Sequence, residues 1–280
     1  DLIVLCTPPD KNGKVNPAIL FAAQHVGVTK VFKLGGIQAI AAMAYGVDVV
    51  PKVDKIFGPG NQYVMAAKQL VSISDVAIDM PAGPSEVAVM ADQSANPAFI
   101  ASDLLSQAEH GPDSQVVLVT NNTDLVDHVE KELIAQLNEL PRKAIAEKAL
   151  LNSQVIVLGS VDEMIEMINV YAPEHLIISM EHYMDIAEKI VNVGSVFLGN
   201  YTPESAGDYA SGTNHTLPTN GWARSFSGVN LESYMKKITF QEMSPDGIKG
   251  LGPVIEKMAA AELLDAHKNA VTLRLNEINK

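Results

Sequence analysis

The chain has 280 residues, of which 47% are hydrophobic and 19% charged, with a formal net charge of −13. That length and composition suit two globular domains with a sizeable core, and exclude a disordered chain, a collagen-like fibre and a disulfide-stapled miniprotein. The acidic balance, with no basic stripe, argues against nucleic acid as a partner, and no apolar run approaches the ~18–20 residues that span a bilayer.

The single cysteine, Cys6, excludes an internal disulfide and a thiolate zinc cluster within one chain, and fits a reducing, cytoplasmic setting. The chain opens on Asp1-Leu2-Ile3-Val4-Leu5, a pattern typical of a sheet interior, so a segment upstream is expected. Leu2–Cys6 reads as a strand. Asn16-Pro17 opens a helix as N-cap and first helical residue, and Gly27 closes it. Val28–Leu34 is strand-like, Gly35-Gly36 lead into a helix from Ile37 to Tyr45, and Lys55-Ile56-Phe57 precede Gly58-Pro59-Gly60-Asn61, which opens a third helix. Val76–Ile78 ends this region, and Pro81-Ala82-Gly83-Pro84 marks a domain boundary.

A second alternating set follows. Strands are expected at Glu86–Met90, Gln115–Val119, Gln154–Leu158, His175–Ser179 and Ser195–Leu198. Helices are expected at Pro97–His110, Asp124–Leu137, Arg142–Leu151, Asp162–Tyr171 and Tyr183–Val193. This alternation predicts an α/β fold of two incomplete Rossmann-like domains with parallel-rich sheets. From Asn200 to Gly228 the periodicity is lost in a long polar loop, a sign of function or disorder. Pro253 to Leu275 then reads as one helix in a C-terminal helical tail. The expected domains are 1–84, 85–228 and 229–280.

Chemistry-bearing residues concentrate in a few strings. Gln107 and His110 stand at i and i+3 near a helix end, a spacing that suits cation chelation; on residues alone, a histidine answering the helix dipole is the commoner reading. Glu174 and His175 adjoin at a strand mouth, where a carboxylate and an imidazole suit general acid–base work or form a solvated glutamate beside a half-buried histidine. Asp208 and His215 lie in the polar loop as metal or substrate contacts, or as partners of the loop's own backbone. Glu262 and His267 are five apart on the tail. The turns Gly35-Gly36-Ile37-Gln38 and Gly58-Pro59-Gly60-Asn61 offer helix N-termini to an anion, but neither matches the GxGxxG dinucleotide fingerprint.

Taken together, these stretches resemble the histidinol dehydrogenase family. The matching strings are KIFGPGN (Lys55 to Asn61), IDMPAGPSE (Ile78 to Glu86), DLLSQAEHGPD (Asp103 to Asp113), PEHL (Pro173 to Leu176), ESAGDYASGTNH (Glu204 to His215) and AHKNA (Ala266 to Ala270). The likeness runs over nearly the whole chain and covers the C-terminal two-thirds or so of a typical member. It implies a zinc- and NAD-dependent oxidation of L-histidinol to L-histidine through the aldehyde. By motif, Gln107, His110, Asp208 and His267 are implied as zinc ligands, Glu174 as the activator of water and His175 as general base. Ser85, His215 and Glu262 are implied as substrate contacts beside the zinc ligands and His175, and Gln38 and Asn61 as NAD contacts. The resemblance also implies a homodimer in which the tail completes the partner's site. The rival readings are a related zinc–NAD dehydrogenase acting on another small polar alcohol, an inactive zinc-binding fragment, and a metal-dependent hydrolase.

Overall fold

A computed structural model describes residues 2–280; Asp1, which precedes the expected opening strand, lies outside the described residues. The chain forms two compact units, one ending at Ser233 and one spanning Tyr234–Lys280. No helix among the described residues is long and apolar enough to cross a membrane.

The first unit begins with β1 (Val4–Cys6), α1 (Pro17–His25), β2 (Lys30–Phe32), α2 (Gly36–Tyr45), β3 (Lys55–Ile56), α3 (Gln62–Ser72) and β4 (Ala77–Ile78). These strands pair in parallel as β1 with β2 and β3 with β4. Local signals set the helix starts. Asn16 Oδ1 accepts from the Ala18 amide, and Asn61 Oδ1 accepts from the Tyr63 and Val64 amides, each cap satisfying donors the first turn leaves over. The loop Gly58–Asn61 is held from beneath by a buried ion pair. Lys68 Nζ donates to Asp79 Oδ1 at 2.5 Å and to the Gly58 carbonyl at 2.7 Å, and Asp79 Oδ2 accepts from the Gly58 amide at 2.8 Å.

The main sheet follows. Its elements are β5 (Glu86–Ala91), α4 (Pro97–Ala108), β6 (Gln115–Thr120), α5 (Thr123–Glu139), α6 (Lys143–Leu150), β7 (Gln154–Val157), α7 (Val161–Tyr171), β8 (His175–Ser179), α8 (Tyr183–Ala187) and β9 (Ser195–Leu198). The strand order is β7-β6-β5-β8-β9, all parallel. Because side chains alternate along a strand, Val87, Val89 and Ala91 of β5 pack against α4, α5 and α6, while Ala88 and Met90 pack with α7 and α8. Both faces are covered, which accounts for the uninterrupted apolar run of β5. The parallel α/β reading of the sequence holds. Helix α8 is shorter than expected, ending at Ala187, six residues before Val193.

Two expectations are corrected. The polar stretch after β9 contains a short helix, α9 (Glu204–Tyr209), and its later residues Thr216–Thr219 are buried. There Gly83 donates its amide to Thr219 Oγ1 at 2.6 Å, and the Asn220 amide donates to Glu86 Oε1 at 2.9 Å, pinning the segment across the amino end of β5. In the second unit the single tail helix is two: α10 (Pro245–Ala261) and α11 (Asp265–Ile278). The break is a Schellman ending, in which the Leu264 amide donates to the Ala259 carbonyl and the Leu263 amide to that of Ala260. Leu263 takes φ 60°, a conformation usually given to glycine, so the sequence carries no stop signal there. The two helices pack closely at Gly252, where a Cβ would lie 2.9 Å from Leu275 Cδ1.

Candidate active site

Open α/β sheets usually bind ligands beyond the carboxyl ends of their strands, at the point where strand order reverses. Here that crevice, beyond β5 and β8, is lined by Asp92, Asp162, Glu181 and Asp185, which outnumber Lys189, itself paired with Asp162 at 3.0 Å, so the net negative charge opposes a pyrophosphate. The concentration of buried polar groups lies at the opposite edge. Glu86 and His175 are the first residues of β5 and β8, paired strands of the sheet, and Glu174 precedes β8.

Helix α7 delivers Glu174 to this edge. It ends on Ala172 at φ 54°, turning the chain sharply into Pro173-Glu174. Glu174 Oε2 accepts from the Glu86 amide at 2.9 Å. Burial pushes the Glu174 carboxyl well above the ordinary carboxylate range, reinforced by the neighbouring Glu86 and Asp208. Glu86 is pushed up to about 7, chiefly by burial.

His175 is almost fully buried. Its Nδ1 lies 3.1 Å from the Glu86 carbonyl, 3.6 Å from Glu174 Oε2 and 3.8 Å from Glu204 Oε1, all acceptors. The proton of a neutral imidazole is therefore assigned to Nδ1. Nε2 then carries the lone pair, has no hydrogen-bond partner, and lies 4.0 Å from Asp208 Oδ1. Burial lowers the His175 pKa, which favours the neutral ring that a base requires.

The third layer comes from α4 and α9. Gln107, in the last turn of α4, is fully buried, and the chain turns just after it to expose His110. On α9, Glu204 and Asp208 stand at i and i+4, on one face of the helix. His110, Glu204 and Asp208 each offer a ligand atom, all within 4.8 Å of one another. Ligands in a tetrahedral zinc site lie about 3.3 Å apart, so these groups are gathered on the scale of a metal site, wider than bonding geometry. Gln107 adjoins it through Glu204: with the amide oriented so that donors meet acceptors, its nitrogen donates to both Glu204 oxygens, to Oε2 at 3.0 Å. Burial, with Asp208, Glu174 and Asp103 nearby, pushes Glu204 up to about 9; Asp103, one turn before Gln107, is pushed up to about 7 by burial. Such a concentration of carboxylates suits a dication and a cationic amine.

The structure thus brings Gln107, His110, Glu174, His175 and Asp208 together. His215, exposed on the segment after α9, is close enough for its charge to act on His175. Ser85 adjoins Glu86 and gives its carbonyl to the Gln115 amide. Gln38, in the first turn of α2, and Asn61, the N-cap of α3, stand exposed at helix N-termini in the first eighty residues. In the second unit, Glu262 caps the C-terminus of α10 and His267 lies in the first turn of α11. Sequence reasoning assigned no role to Glu86 or Glu204. Glu86 was signalled by a carboxylate heading the otherwise apolar run Val87–Ala91, and Glu204 by its four-residue spacing from Asp208.

The family model for histidinol dehydrogenase matches residues 1–275. Histidinol dehydrogenase of Bacteroides thetaiotaomicron is 67% identical over 276 residues, covering 99% of this chain and 64% of the relative. The chloroplastic histidinol dehydrogenase of Arabidopsis thaliana is 55% identical over 280 residues, covering 99% of this chain and 60% of the relative. The crystal structure of histidinol dehydrogenase from Elizabethkingia anophelis superposes with a TM-score of 0.96 at 58% identity, over 99% of this chain and 64% of that one. The chain thus spans less than two-thirds of the length of these relatives.

Proposed function

This chain belongs to the histidinol dehydrogenase family, and we propose that the enzyme it forms oxidises L-histidinol to L-histidine, with zinc bound and NAD as hydride acceptor. The observation that carries this reading is the convergence of His175, Glu174, Asp208, His110 and Gln107 at one edge of the main sheet.

Gln107, His110 and Asp208, with His267, are the residues that would hold the zinc; they are nitrogen and oxygen donors of the kind the ion takes, glutamine being the uncommon one. When bound, the zinc supplies a Lewis-acid anchor for the imidazole and amine of the substrate. NAD supplies the acceptor for two hydrides in turn, with Gln38 and Asn61 as its contacts. His175 Nε2 takes the hydroxyl proton as the first hydride leaves carbon. Glu174 takes a proton from the water that adds to the aldehyde, and the second hydride then leaves to give the carboxylate. A carboxyl held above its ordinary range is suited to receive that proton. Ser85 and His215 hold substrate, and Glu262 faces its cationic amine.

On the same reading, 1–84 is part of an NAD-contacting Rossmann-like domain, 85–228 is a second domain carrying metal and catalytic groups, and 229–280 is a dimerisation tail. That tail brings Glu262 and His267 to the partner's site in a cytoplasmic homodimer. The roles of Glu174 and His175 separate experimentally. Glu174→Gln is expected to slow oxidation of supplied histidinaldehyde on the order of a hundredfold or more while slowing alcohol oxidation far less. Equal losses in both half-reactions, measured as NADH formation in single turnovers, would remove Glu174 from the water-activating role.

A further inference from the structure

We infer that Glu204 is a positioning residue for the metal site, acting through Gln107. The inference rests on the zinc reading above and adds a residue to it. A glutamine side chain presents a donor nitrogen and an acceptor oxygen at nearly the same place, and only the oxygen can bind a cation. Left free, the amide presents either end. Here Gln107 is fully buried on α4, and with its amide oriented so that donors meet acceptors its nitrogen donates to both oxygens of Glu204, which is 2% exposed and would be held ionised by a bound dication. That fork turns Oε1 of Gln107 to the other side. Glu204 is fixed by being the first residue of α9, whose Gly207 packs against Phe197 so closely that a Cβ would lie 2.7 Å from its ring. One turn along the same helix, Asp208 supplies a metal ligand directly. Helix α9 thus provides both a ligand and the residue that orients a second ligand on α4. Outer hydrogen bonds of this kind set ligand orientation and affinity.

The test is zinc affinity of the full-length protein, measured with zinc alone by competition against a chromogenic chelator. Glu204→Leu removes both acceptors and is expected to weaken zinc binding about 10- to 100-fold. Glu204→Gln, oriented with its oxygen toward Gln107, keeps one acceptor and is expected to stay within about threefold. In a Gln107→Ala background, Glu204→Leu is expected to cost little more, because the residue acts through the glutamine. Each variant's melting curve reports folding; should Glu204→Leu not fold, Glu204→Met carries the same comparison. Unchanged affinity in Glu204→Leu would overturn the inference. So would equal losses in Glu204→Leu and Glu204→Gln, which would make Glu204 a ligand itself, or additive losses in the double variant. A parent protein that takes up no zinc would instead overturn the metal reading, and this inference with it.

Discussion

Glu86 heads an apolar strand with its carboxyl buried, one oxygen accepting from Asn220 and the other without a partner. Burial raises it from the ordinary 4.5 to about 7. Between those values the folded state holds a proton that the unfolded state has released. Stability from this group is therefore present at pH 5 and is lost as pH rises toward 7, by an amount on the order of 2–3 kcal/mol. Glutamine at this position carries no charge and keeps an acceptor for the Asn220 amide. Metal-free Glu86→Gln is expected to melt at or below its parent at pH 5 and roughly 4–8 °C above it at pH 8. Thermal denaturation at the two pH values checks this, and an offset independent of pH would contradict it. At this scale the sequence was informative where a motif paired two unlike groups, as Glu174 with His175. At Glu86 and Glu204 it offered only a position, a carboxylate heading an apolar run and a four-residue spacing from Asp208; their importance comes from burial among other carboxylates, which is a property of packing.

Helix α9 shows how an element can be invisible in sequence and central in space. It has six residues, includes a glycine, and is too short for a 3.6-residue period to emerge against polar surroundings. Its proposed role in placing Asp208 and Glu204 depends on that glycine. A Cβ on Gly207 would meet two ring atoms of Phe197 at 2.7 and 2.8 Å, so α9 must move if it is accommodated. Glu204 and Asp208 move with it. Gly207→Ala is expected to weaken zinc affinity at least about tenfold, with a stability loss of about 1–3 kcal/mol from overpacking. Chelator competition and chemical denaturation measure the two effects; an alanine variant with parental zinc affinity would show that α9 does not place the ligand. The long helices and the core strands were legible because caps such as Asn16 and Asn61 and the two-sided apolar runs of β5 and β8 declare themselves. The break between α10 and α11 did not, since Leu263 occupies a position that glycine usually marks.

In the molecule as a whole, the main sheet keeps a doubly wound topology while its polar cluster lies at the amino ends of the strands. The strand–helix alternation predicted the sheet; it could not predict which edge carries the chemistry, because that follows from where α4 ends and where the segment after β9 returns. The proposed exchange of the tail between subunits has its own signature. His175→Asn and His267→Asn variants are each expected to be inactive. Unfolded and refolded together, they would form mixed dimers in which one site of two draws both intact residues, restoring about a quarter of parental activity. No recovery from demonstrably mixed dimers would place His267 in its own subunit's site or outside any site.

The reading of this chain as part of a zinc- and NAD-dependent dehydrogenase comes down to one assay of the full-length protein: histidinol-dependent NADH formation before chelation, after it, and after zinc is returned. The account predicts activity that disappears with the metal, returns with zinc, and yields about two NADH per histidinol consumed. Undiminished turnover after complete removal of zinc, or no NADH from histidinol with zinc bound at one per site, would contradict it.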